Sequence, residues 1–168
     1  MKDWLIIDGY NLLCRIFPKT PGAGAAIIAR NRKNMLALIE PLVNLLAAKI
    51  TIVYDGAAVE PRPGELESEI IEVVYTPPNI SADSYIENLV WKAARPENIL
   101  VVTSDRMERD GAGAGGAETM AASLFMEKIA TEQARLSSRM DKHNKAQKGP
   151  TLGDFFDISG HKSTPDPA

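Results

Sequence analysis

The chain has 168 residues, 45% hydrophobic and 24% charged, the make-up of one globular domain and too apolar for a disordered one. A single cysteine (Cys14) and only two histidines (His143 and His161) exclude a disulfide framework, a multi-cysteine zinc site and a histidine-rich metal centre. The formal net charge of −3 offers nucleic acid no overall basic field, and no apolar run reaches the roughly 20 residues of a membrane span. Met1-Lys2-Asp3-Trp4 is not a secretory leader, and a reducing, cytoplasmic compartment with no membrane partner is expected.

Trp4-Leu5-Ile6-Ile7 is too short for a helix and stops at Asp8-Gly9, so it reads as a buried strand. A loop rich in Pro and Gly follows, and residues 25–48 carry apolar positions at helical spacing that Pro41 divides into two helices. Ile50–Tyr54 is a second strand, ending at Asp55-Gly56. Beyond a loop over 57–69, Ile70–Thr76 is a third strand. Ser81 caps a helix with Asp83 in its first turn and Ile86, Leu89, Val90 and Ala93 on its apolar face. Asn98–Thr103 is a fourth strand, Gly111–Gly116 a glycine-rich loop, and Ala117 to about Lys145 one long helix. The order β-α-α-β-β-α-β-α predicts an α/β fold: an open, mainly parallel sheet sandwiched by helices, with a long C-terminal helix. The domain is expected over 1–148, and the polar, Pro/Gly-containing stretch 149–168 as a mostly flexible tail.

Ligands of open α/β sheets bind outside the carboxyl ends of the strands. Asp8 follows strand one, Asp55 strand two and Asp105 strand four, while Asp83 opens the helix after strand three. Glu87 lies one helical turn beyond Asp83. Each acid alone has a plainer reading, since Asp-Gly is a common turn and Asp83 suits a helix N-terminus. Four together would repel one another unless a hard divalent cation neutralised them, and Mg²⁺ or Mn²⁺ takes oxygen ligands of this kind. Asn11, three residues after Asp8, can orient the first carboxylate, and Thr103-Ser104 puts hydroxyls at the same rim.

Gly111–Gly116 formally fits G-x-G-x-x-G, but no strand immediately precedes it and none follows to complete a dinucleotide-binding unit. A phosphatase-type D-x-D is also missing, because Tyr10 stands where its second acid would be.

Ile7-Asp8-Gly9-Tyr10-Asn11, Val53-Tyr54-Asp55-Gly56, Ser81-Ala82-Asp83 with Ile86-Glu87, and Val102-Thr103-Ser104-Asp105 with Glu108 resemble the NYN domain in its YacP-like branch, over about residues 4–148. That family belongs to the PIN-like superfamily of metal-dependent nucleases. The resemblance implies an endoribonuclease that cuts single-stranded RNA, with no preference for DNA, using Mg²⁺ or Mn²⁺ and leaving a 5′-phosphate and a 3′-hydroxyl. It also implies a link to translation or mRNA decay, with mRNA as substrate and the ribosome as a candidate partner. By position Asp8, Asp83 and Asp105 match the family's metal-binding acids and Asn11 their polar companion. Asp55, Glu87, Ser104 and Glu108 stand as supporting residues. Where the branch often has an aromatic after T-S-D, this chain has Arg106, which can contact a phosphate or stack on a base.

Charge is unevenly spread. Residues 1–126 hold 12 Lys/Arg against 16 Asp/Glu, whereas 127–148 hold six basic residues against three acidic ones. Arg135, Arg139 and Lys142 fall at i, i+4 and i+7, one stripe of a helix and a candidate grip on an RNA backbone. The competing reading is a non-catalytic RNA- or ribosome-binding module of the same fold, which has no use for four converging aspartates.

Overall fold

The computed structural model describes residues 2–56 and 71–147, and side chains as far as residue 140. The loop expected at 57–69, the start of strand three at Ile70 and the tail 149–168 lie outside the described residues. The chain divides into two compact units, Met1–Glu132 and Gln133–Ala168.

The elements run β1 (Lys2–Asp8), α1 (Gly9–Ile16), α2 (Ala25–Ile39), a 3-10 turn (Glu40–Leu42), α3 (Val43–Leu46), β2 (Ala47–Tyr54) and β3 (Ile71–Tyr75). They continue with α4 (Ala82–Lys92), a second 3-10 turn (Pro96–Asn98), β4 (Ile99–Val102), α5 (Arg106–Ala114), β5 (Glu118–Met120) and α6 (Ala122–Gln147). The five strands form one sheet in the order β3-β2-β1-β4-β5, every pair parallel. This is the expected parallel α/β architecture. Pro41 sits in the first 3-10 turn and does divide the helical segment, whose last two residues, Ala47 and Ala48, belong to β2.

The central strand β1 sets both faces. Ile6 packs with Val53, Ile86, Val90, Val101 and Ala112 in one core cluster, on the side covered by α4 and α5. Side chains alternate along a strand, so Asp8, two residues beyond Ile6, points to that same side. Tyr54, next to Val53, points to the other.

Three expectations are corrected. Asp8-Gly9 does not open a loop: Asp8 caps α1, and Leu12 and Leu13 bury its apolar side. Nor is the glycine-rich stretch a loop; most of it lies in α5, capped by Asp105 and packed against α4. A Cβ at Gly111 would meet the end of the Glu87 side chain, which reaches across from α4. Gly116, at φ 95°, then lets the chain turn away. The long helix starts later than Ala117, because Glu118–Met120 adds to the sheet edge as β5, pairing Leu100 with Glu118 and Val102 with Met120.

The Gly111–Glu87 contact makes a non-additive pair. In a Glu87→Ala background, Gly111→Ala should gain the helix-propensity difference, about 1 kcal/mol. With Glu87 present the gain should shrink by about 0.5 kcal/mol or more, as expected for residues in contact. Urea denaturation of the four proteins of the cycle measures the coupling.

Candidate metal centre

Three strand-to-helix junctions deliver one carboxylate each to the carboxyl end of the sheet. Asp8 ends β1 and is 3% exposed. Its Oδ1 accepts the Asn11 backbone N–H at 3.0 Å, and Asn11 Nδ2 donates to Oδ2 at 2.6 Å. Asn11 thus fixes both oxygens of the first acid. Asp83 comes from the first turn of α4, behind the N-cap Ser81, whose Oγ accepts the Ser84 N–H at 3.2 Å. Glu108 comes from the first turn of α5 and is 2% exposed. Carboxylate oxygens of Asp8, Asp83 and Glu108 lie within 4.8 Å of one another.

Asp105 lies outside this close group. Its Oδ1 accepts the N–H groups of Met107 at 2.7 Å and Glu108 at 3.3 Å, the work of a helix cap. The third place in the cluster falls to Glu108, expected only as a supporting residue. A sequence signal for it exists: Asp105 and Glu108 stand at the N-cap and N3 spacing of a capping box, which puts the acid at N3 on the first turn. Asp55 is half-buried at the end of β2 and belongs to no three-acid group among the described residues, although it makes interactions of its own. Glu87 stands against Gly111. Ser104 is exposed; its carbonyl and that of Thr103 accept from Arg109 Nη1 at 3.3 and 3.4 Å, which ties down the β4–α5 junction. Arg106 is exposed beside the cap, and Arg135 and Arg139 lie on the part of α6 in the second unit, Arg135 with interactions of its own. The Lys142 side chain lies outside those described.

The cluster is electrostatically loaded. Burial raises the Asp83 carboxyl above its ordinary range, and the charges of Asp8 and Asp105 add to the rise. Glu108 is pushed up to about 8, first by burial and then by Asp8 and Asp83, with the Thr103 hydroxyl pulling the other way. Both Glu108 carboxylate oxygens are buried and neither makes a hydrogen bond of good geometry, although the Thr103 hydroxyl and the Asp8 carboxyl lie near enough to act on them. Acceptors in that state call for a proton or a cation. The donors are all oxygen, which suits a hard divalent ion.

The family model described as the YacP-like NYN domain matches residues 5–158. "Uncharacterized protein YacP" of Bacillus subtilis (strain 168) is 24% identical over 141 residues, 83% of this chain and 82% of that protein. The crystal structure of Rae1 (YacP) from Bacillus subtilis is similar with a TM-score of 0.70 at 23% identity, over 86% of this chain and 83% of that one. A tryptophan-to-leucine variant of Rae1 gives 0.66 at 23% identity, over 91% and 89% of the two chains.

The raised carboxyls set a pH dependence for the metal-free protein. Glu108 binds its proton more tightly folded than unfolded, so its contribution to stability is fully present below the ordinary value of 4.5 and is lost as pH rises through about 8. Thermal melts in chelator should show Tm falling across that interval. Glu108→Gln should flatten the fall, leaving the smaller part due to Asp83.

Proposed function

As this chain belongs to the YacP-like NYN domain family, a family of nuclease-like fold, we propose that it is a divalent-metal-dependent endoribonuclease acting on single-stranded RNA. The observation that carries the proposal is the trio Asp8, Asp83 and Glu108, with both Glu108 oxygens buried and neither in a well-formed hydrogen bond. A pure binding module gains nothing from the cost of burying Asp8 and Glu108 beside each other. Mg²⁺ or Mn²⁺ held there would supply Lewis-acid polarisation of a phosphodiester and a more acidic water.

The protein's own groups do the rest. Asp8, Asp83 and Glu108 hold the ion, and Asn11 keeps the Asp8 carboxylate in one orientation. Asp105 holds the first turn of α5 in place and so aims Glu108. Arg106, exposed at the same junction, is available to a phosphate, and the stripe of Arg135, Arg139 and Lys142 is the proposed grip on the strand. The substrate is mRNA in this reading, met in the cytoplasm and in connection with the ribosome. Among the described residues no helix is long and apolar enough to cross a membrane.

Incubating labelled single-stranded RNA and DNA with the protein and Mn²⁺ or EDTA tests the activity. RNA should be cut and DNA spared, and EDTA should stop the reaction. Asp8→Asn and Glu108→Gln should each lower the rate by on the order of 100-fold or more, beyond the range seen for residues that merely support a metal's ligands. Asp105→Asn should cost much less, because asparagine caps a helix about as well as aspartate, whereas Asp105→Ala should lose about 1 kcal/mol of stability. Metal-independent cleavage, or full activity in both Asp8→Asn and Glu108→Gln, would overturn the proposal.

The basic stripe has its own test. Replacing Arg135, Arg139 and Lys142 by Gln should weaken RNA binding with little regard to sequence, and the salt slope should fall by about 1 for each phosphate that the variant no longer neutralises. Fluorescence-anisotropy titrations of RNA at several salt concentrations read both quantities.

A further inference from the structure

Tyr54 ends β2 on the sheet face away from the carboxylates and is fully buried. Its ring lies against Gly9 so closely that a Cβ at residue 9 would collide with Cε1, Cδ1 and Cζ. Gly9 directly follows Asp8 and is the first residue of α1. The ring therefore backs the peptide unit that aims the Asp8 side chain and starts the turn whose Asn11 N–H that side chain accepts.

The ring is itself held on two sides. It stacks on Tyr75 with centroids 5.5 Å apart and planes 21° from parallel. The Arg32 guanidinium carbon lies 4.8 Å from the Tyr54 centroid and 5.4 Å from that of Tyr75. Arg32, from α2, is 1% exposed, with Nη1 3.5 Å from the Tyr75 hydroxyl. Its Nε and Nη2, like the Tyr54 hydroxyl, are buried without a hydrogen-bond partner. A buried guanidinium held chiefly by two aromatic faces is a poor device for stability alone. A tyrosine whose hydroxyl bonds nothing contributes through its ring. What these three side chains build is a stiff aromatic floor under Gly9.

We infer that Tyr54, clamped by Arg32 and Tyr75, is a positioning residue for the metal centre: its ring fixes the Gly9 backbone and, through it, the Asp8 carboxylate. This inference rests on the metal-binding reading proposed above. Side chains that orient a metal's ligands commonly change metal affinity when altered, even though they never touch the ion.

Calorimetric titration of Mn²⁺ into the metal-free protein, well below the Tm of each variant, tests it. Tyr54→Phe keeps the ring and should bind Mn²⁺ within about twofold of wild type, since only an unbonded hydroxyl is removed. Tyr54→Leu should keep its far-UV circular dichroism and weaken Mn²⁺ binding by about 10- to 100-fold. Gly9→Ala, which drives a methyl group into the ring, should weaken binding in the same direction. A role in packing alone would lower Tm and leave the affinity of the folded protein unchanged. Wild-type affinity in folded Tyr54→Leu overturns the inference, and so does a loss in Tyr54→Phe as large as in Tyr54→Leu. Should Tyr54→Leu not fold, Tyr75→Leu, at a half-buried strand end, carries the same expectation, and wild-type affinity there overturns it. A wild-type protein that takes up no Mn²⁺ overturns the metal-binding reading instead, and is told apart by flat titrations in every variant.

Discussion

Three carboxylates with oxygens within 4.8 Å of one another, two of them buried, resist being ionised together without a countercharge. At that separation and an effective dielectric near 20, each ionised pair repels by on the order of 3 kcal/mol. The fold accepts this because the backbone leaves little choice. Asp8 ends the central strand, while Asp83 and Glu108 each ride the first turn of a helix that packs beside it. The N-terminal dipoles of α4 and α5 soften the repulsion for anions in just those turns. What remains shows as raised carboxyl pKa values, and it is relieved either by a proton on Glu108 or by a cation. The same tension that weakens the metal-free protein is what a hard cation would relieve.

The rest of the sheet serves to hold that tension in place. β1 is hydrogen-bonded on both sides, to β2 and to β4, and Ile6 and Ile7 are fully buried. Alternation along the strands then separates two tasks. Ile6 and Asp8 look toward α4 and α5, where the acids gather, whereas Tyr54 looks toward α2 and Arg32. One end of the sheet thus carries a polar centre on one face and its aromatic backing on the other. Gly9, with no side chain of its own, lets the two approach.

Much of this was legible in the sequence because parallel strands buried on both faces leave nearly continuous apolar runs; Leu5–Ile7 and Ile99–Val102 are such runs, and Ile50–Val53 is interrupted only by Thr51. Acids placed just after them fall at the carboxyl end of the sheet by geometry alone. β5 was not legible: Glu118-Thr119-Met120 has no apolar run, and it is a strand because β4 offers it an open edge. Helix α1 was hidden by Asp8-Gly9, whose turn signal and N-cap signal are the same chemistry, an aspartate oxygen accepting a backbone N–H a few residues on. The glycines of α5 misled for a related reason. Glycine weakens a helix by about 1 kcal/mol, yet here packing overrides propensity, with Ala112 buried in the core shared with α4.

Asp105 caps α5 while Glu108 joins Asp8 and Asp83, so spacing from a strand end locates an acidic cluster better than it locates the members of that cluster. Two acids three residues apart can both reach the rim, and the backbone decides which one it occupies. β4 ends at Val102, and the helix that follows has unsatisfied N–H groups in its first turn. The side chain at the N-cap position is the one placed to meet them, so Asp105 Oδ1 is occupied by Met107 and Glu108 N–H groups. Glu108, one turn in, has no such duty, and its buried side chain brings a carboxylate oxygen within 4.8 Å of those of Asp8 and Asp83. An acid that caps is already satisfied by the backbone and need not be neutralised. An acid that is buried and uncapped must be, and Glu108 is therefore the residue whose environment asks for a proton or a cation.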